Sequence, residues 1–74
     1  MAMTLEERLI ALRRDWSPKQ AFWAMRQVSK SNPHYWLMNA LAFDWYRSPT
    51  VWAVASFKYS ETLRAKQFME EPHD

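Results

Sequence analysis

The chain contains no cysteine and no glycine in 74 residues, and each absence removes a class of answer. Without cysteine there is no disulfide framework and no thiolate zinc site, so a fold this small must rest on its apolar core. A reducing, cytoplasmic setting is the expectation that follows. Without glycine there is no phosphate-cradling loop of the P-loop or dinucleotide-binding kind, and no two-residue glycine hairpin. Long apolar runs are also missing: the longest, residues 35–43, is broken by Asn39 and is about half of what spans a bilayer. The N-terminal stretch carries Glu6, Glu7, Arg8, Arg13 and Arg14, which leaves no room for the apolar centre of a signal peptide. The expectation is a chain with neither a secretory leader nor a membrane segment.

What the sequence has in quantity is aromatic and thioether side chains: five Trp, four Phe, three Tyr and five Met. Each large ring can bury about 150–250 Å², and a domain of this length buries only about 60% of its unfolded surface. Rings are therefore present in excess of what one small core absorbs. At ordinary per-residue values such a domain is stable by roughly 4–11 kcal/mol. The formal net charge of +2 is unevenly spread: residues 1–37 carry six Lys/Arg against three Asp/Glu, and residues 38–74 carry four against five.

Proline does the punctuation that glycine cannot. Ser17-Pro18, Asn32-Pro33 and Ser48-Pro49 each pair an N-cap side chain with the residue best suited to the first helical position. The same dipeptides close the preceding helix, because a residue before proline avoids helical angles. Thr4 with Glu7, and Ser17 with Gln20, have the spacing of capping boxes. These signals predict an all-α fold, a compact bundle of about four short helices over 5–15, 18–30, 33–47 and 49–70, joined by tight Ser/Asn-Pro connections. The whole chain, 1–74, reads as one helical domain with a frayed tail over 69–74. The last helix is the least regular: residues 50–54 are partly β-branched, and Ser60 followed by Glu61 is a place for a kink or restart.

The helix faces carry the functional reading. Leu5, Leu9, Leu12 and Trp16 form one apolar stripe on the first helix, a core face. On the second helix Ala21, Ala24, Met25 and Val28 fall together, while Lys19, Trp23, Arg26 and Lys30 line the other side. A Trp among cations can stack on a base or fill a partner's pocket while the cations meet phosphates or carboxylates; the alternative is a solvated face whose Lys and Arg stems cover Trp23, or a Trp23 buried by the last helix. The third helix is apolar nearly all round, with Leu37, Met38, Leu41 and Trp45 on one side and Trp36 and Phe43 on another. Tyr35, Asn39 and Tyr46 share a narrow arc, either an interface patch or an internal hydrogen-bonded seam. The last helix shows two apolar rows, Val51, Val54, Ala65 and Phe68 against Trp52, Ala55, Tyr59 and Leu63, which implies two neighbours.

Catalysis finds no constellation. His34 sits at the start of the third helix and His73 in the tail; a solvent position suits His34 better than a general base or metal ligand. Asp44 lacks a partner for acid chemistry; either it pairs with a cation such as Arg47 or Lys58, or its side of the helix is less buried than the apolar pattern implies. No Ser/His/Asp, Cys/His or His-x-x-x-His spacing occurs, so no catalytic residue, metal ligand or cofactor is expected. The expectation is a non-catalytic, macromolecule-binding module, regulatory or inhibitory, whose partner is a protein, with a homodimer as one form of that partnership. The alternative is a nucleic-acid-binding protein using the basic face of the second helix. Partner-binding candidates are Lys19, Trp23, Arg26, Lys30, Tyr35, Asn39 and Tyr46.

Overall fold

Four side chains start four helices. In the computed structural model, which describes residues 3–70, α1 runs Leu5–Leu12, α2 Pro18–Arg26, α3 Pro33–Ala42 and α4 Pro49–Glu70, with a single 3-10 turn at Trp45–Arg47. The Thr4 hydroxyl accepts from the Glu7 amide at 3.2 Å while Glu7 Oε1 accepts from the Thr4 amide at 3.0 Å. Ser17 and Gln20 repeat the reciprocal pair at 3.2 and 2.9 Å. Asn32 Oδ1 accepts from the His34 amide at 3.0 Å, and Ser48 Oγ from the Val51 amide at 3.2 Å. Each bond satisfies an amide that the first turn would otherwise leave open.

The helices begin where the sequence places them, but the first three end sooner than expected. After Arg26 the α-helical ladder gives way to turns, with the Gln27 amide donating to the Ala24 carbonyl at 3.1 Å and the Val28 amide to that of Met25 at 3.2 Å. Ser29 Oγ accepts from the Ser31 amide at 3.2 Å, and the Trp36 indole donates to the Lys30 carbonyl at 2.9 Å. Serine side chains that bond their own backbone compete with the helix ladder. After Ala42 the end is sharper: Asp44 takes φ 51° and ψ 67°, the left-handed region. A helix end commonly uses that conformation, and in a chain without glycine an aspartate is among the few residues that tolerate it. The kink expected near Ser60 does not occur, and Pro49–Glu70 is one continuous helix of 22 residues. Met69 and Glu70, expected to begin the frayed tail, are helical, and residues 71–74 lie outside the described ones.

α3 is the central element, in contact with α1, α2 and α4. The core is Leu9 from α1, Ala21 and Met25 from α2, Leu37, Met38, Ala40 and Leu41 from α3, Trp45, and Ala55 and Tyr59 from α4. Small residues at Ala21, Ala40 and Ala55, all fully buried, let the helices approach closely and leave Leu9 and Met38 as the largest fully buried side chains. The Arg8 guanidinium donates to the Tyr59 hydroxyl at 2.6 Å, tying α1 to α4.

α4 outruns the core. Its last buried residue is Thr62, and the residues from Arg64 to Glu70 are all exposed, with Ala65, Lys66 and Met69 bordering an open groove shared with Ser31, Asn32 and Pro33 at the start of α3. The principal extents are 43 × 27 × 23 Å and the radius of gyration is 12.7 Å, against about 11 Å for an average compact chain of this length. Among the described residues no helix is long and apolar enough to cross a membrane.

Candidate partner-binding face

Burial in this fold inverts the usual ranking of residue types. Phenylalanine is ordinarily among the most buried side chains, yet all four phenylalanines are exposed: Phe22 at 38%, Phe43 at 46%, Phe57 at 63% and Phe68 at 65%. Of the five tryptophans only Trp45 is buried; Trp16, Trp36 and Trp52 are half-buried, and Trp23 is 55% exposed.

α2 builds the first part of the face. Lys19, Phe22, Trp23 and Arg26 stand at i, i+3, i+4 and i+7, which is one side of a helix. All four are exposed. The opposite side, with Ala21 and Met25 buried and Ala24 half-buried, packs on the core. The Arg26 guanidinium lies 5.4 Å from the Trp23 ring centre and 5.8 Å from that of Phe22. Phe22 meets the Phe43 ring edge-on at 6.2 Å, which carries the aromatic surface from α2 to the end of α3. A guanidinium over exposed rings gains roughly 0.5–1 kcal/mol, enough to bias its position without removing its donors from solvent.

Tyr46 anchors the second part. The Arg13 guanidinium lies 4.1 Å from its ring centre while Arg13 Nη2 donates to its hydroxyl at 3.0 Å, and Arg47 stands 5.5 Å from the same ring. Trp45 supports it from beneath, edge-on at 5.1 Å. A cleft of about 220 Å³ opens beside this cluster, walled by Arg13, Trp16, Ser17, Pro18, Asp44 and Tyr46 among others. The left-handed backbone at Asp44 produces this arrangement, because it turns the chain out of α3 and sets Tyr46 against the end of α1.

The electrostatics of the face are one-sided. Among the described residues the ion pairs are Lys58 with Glu61 at 3.6 Å and Lys66 with Glu70 at 4.0 Å, both within α4. Among the described residues no Lys or Arg from Arg8 to Arg47 makes one. Arg13, Arg26 and Arg47 lie instead over aromatic rings, which leaves their charge available to an incoming anion.

The structure keeps some of the expected site residues together and separates others. Lys19, Trp23 and Arg26 share the exposed α2 face as the helical spacing predicts. Lys30 does not, because α2 ends at Arg26 and Lys30 falls in the connection to α3, where it borders a groove with Trp36 and Lys58. Tyr35, Asn39 and Tyr46 do not form one arc, since α3 ends before Tyr46. Asn39 is half-buried with its amide 3.6 Å from Met25 Sδ, Tyr35 packs edge-on against Trp36 at 4.8 Å, and Tyr46 joins Arg13. Asp44 makes no ion pair with Arg47 or Lys58 among the described residues. Arg13, Phe22, Phe43 and Arg47 belong to the face but were not expected there. Phe22 was legible from its i+3 spacing to Lys19; the other three depend on how α3 ends. His34 is exposed at the start of α3, as expected. Among the described residues no three His, Cys, Asp or Glu gather as metal ligands would. Comparison with protein-family models, curated proteins and solved structures finds no match to this chain.

Proposed function

We propose that this chain is a non-catalytic binding module that docks on an acidic surface of a partner protein through Lys19, Phe22, Trp23, Arg26, Phe43 and Tyr46. The observation that carries the reading is the exposed Trp23 beneath Arg26, continued by Phe22 onto Phe43. Trp, Tyr and Arg are the residue types that dominate binding energy at protein interfaces, where they fill pockets at the centre of the contact. The surrounding cations without ion pairs suit a partner whose rim is acidic, and such pairing steers encounter. A reducing, cytoplasmic setting belongs to the same proposal and rests on the absence of cysteine.

A nucleic-acid reading draws on the same cations and rings, since bases stack on exposed aromatics and phosphates attract arginine. The apolar share of the face favours protein. Phe22 and Phe43 form an exposed edge-on ring pair, and Asp44, which has no ion pair among the described residues, stands beside Tyr46, where it would repel a phosphate backbone.

The deciding experiment is affinity capture from the native host on the immobilised chain and on a Trp23→Ala/Arg26→Glu variant, each with and without nuclease. The expected result is a protein held by the parent chain in a nuclease-resistant, salt-sensitive manner and lost about tenfold or more with the variant. Capture that disappears with nuclease moves the function to nucleic acid. Equal capture by both chains removes the face from the function.

A further inference from the structure

A second surface, independent of the face on α2, runs along the outer side of α4. The inner side of this helix, with Ala55, Tyr59 and Thr62 buried, packs on the core. The outer side presents Val54, Phe57, Glu61, Arg64 and Phe68 at successive spacings of three, four, three and four residues, the repeat that forms the seam of a coiled coil. Val54 is 47% exposed, Phe57 63% and Phe68 65%, and Glu61 and Arg64 are also exposed. Phe57, Glu61 and Arg64 wall a common surface depression of about 260 Å³, so these three side chains share one face.

The charges within this repeat are complementary to their own reverse. In an antiparallel pair of helices with a two-fold axis at the level of Thr62 and Leu63, residue 57 of one copy stands at the height of residue 68 of the other, and residue 61 at the height of residue 64. Phe57 then meets Phe68 at each end, and Glu61 meets Arg64 twice in the middle. Antiparallel helices pair positions of the repeat in this crossed manner, and a polar pair within a seam fixes register and direction. A parallel pairing would set Glu61 on Glu61 and Arg64 on Arg64. Glu61 has only the exposed pair with Lys58 at 3.6 Å within its own helix, and Arg64 has no ion pair among the described residues, so both are available for the exchange.

We infer that a second copy of this chain occupies the outer face of α4, giving an antiparallel two-fold dimer with Phe57 against Phe68 and Glu61 against Arg64. The seam is short, so association is concentration-dependent and in fast exchange.

Sedimentation velocity over a concentration series tests this with the full chain, alongside far-ultraviolet circular dichroism to confirm the fold. Glu61→Arg and Arg64→Glu, each alone, place like charges across the two-fold axis and are expected to weaken the dimer about tenfold or more. The two variants mixed together are expected to recover association as a heterodimer, and Glu61→Arg/Arg64→Glu in one chain to recover it as a homodimer. Trp23→Ala/Arg26→Glu is expected to dimerise as the parent does. A parent chain that stays monomeric throughout overturns the inference. So do charge reversals without effect, a mixture that fails to associate, or a dimer lost through the α2 substitutions instead.

Discussion

Arg8 Nη1 donates to the Tyr59 hydroxyl at 2.6 Å across 51 residues of sequence, and Tyr59 is only 8% exposed. A chemically similar pair, Arg13 with Tyr46 at 3.0 Å, lies at the surface with Tyr46 at 43% exposure. Water replaces the partner at the second site and can do so only poorly at the first. Tyr59→Phe is therefore expected to cost about 1 kcal/mol and Tyr46→Phe less than about 0.5 kcal/mol. Urea denaturation of both variants checks this, and equal losses would contradict the assignment of one pair to the fold and the other to the face.

The inverted burial of large side chains makes a second comparison. Met38 is fully buried, and Met38→Ala removes packing without relief, at about 2–5 kcal/mol. Phe57→Ser, although it deletes a larger group, is expected to change stability by no more than about 0.5 kcal/mol, because its ring is 63% exposed in the folded state; Phe22→Ser, whose ring is 38% exposed and meets Phe43 edge-on, is expected to fall between the two. Thermal melts of the three variants measure the ordering directly. A phenylalanine variant that falls as far as the methionine one would show those rings to be core.

Asp44 carries the left-handed turn that ends α3. Asp44→Val puts a β-branched side chain where sterics oppose it, and a loss of about 1–2 kcal/mol is expected. Asp44→Gly removes the steric conflict but loosens the unfolded chain, so its net change is expected within about 1 kcal/mol of the parent. Equilibrium denaturation of the pair, read as the gap between valine and glycine, tests whether backbone conformation rather than the carboxylate matters at this position.

Glu7 gives the pH prediction. The hydrogen bonds from the Thr4 amide and hydroxyl hold its carboxyl below the ordinary 4.5, so its contribution to stability is present above that value and is lost as pH falls through the lower folded-state one. Glu7→Gln keeps the reciprocal capping geometry and removes the titration. The melting temperature of the parent relative to this variant is expected to fall on acidification below 4.5 and to be flat above it. A difference that grows toward neutral pH instead would contradict the cap as the cause.

Helix starts were readable because their cause is local. Thr4, Ser17, Asn32 and Ser48 each satisfy an amide two or three residues away, and that bond depends on little beyond the residues themselves. Helix ends were not readable to the same degree. Nothing in the order Phe43-Asp44-Trp45-Tyr46 says that Asp44 will turn left-handed, and the helical arc drawn through Tyr35, Asn39 and Tyr46 failed at that residue. The α2 stripe over-reached for a similar reason: Lys30 continued the periodicity, but serine side chains and the Trp36 indole hold the connection in another path.

Composition and local spacing alone determined that this chain is helical, where each helix begins, and that it carries more rings than one small core can hold. Tertiary packing alone decided which rings remain outside. A helix position knows its angular neighbours but not which side another helix will cover, and here α3 took the centre with Leu, Met and Ala against it, leaving Phe22, Trp23, Phe43 and Phe57 to solvent. The candidate face at Tyr46 is a consequence of the same packing, because Arg13 and Tyr46, 33 residues apart, meet only when the chain folds back on itself.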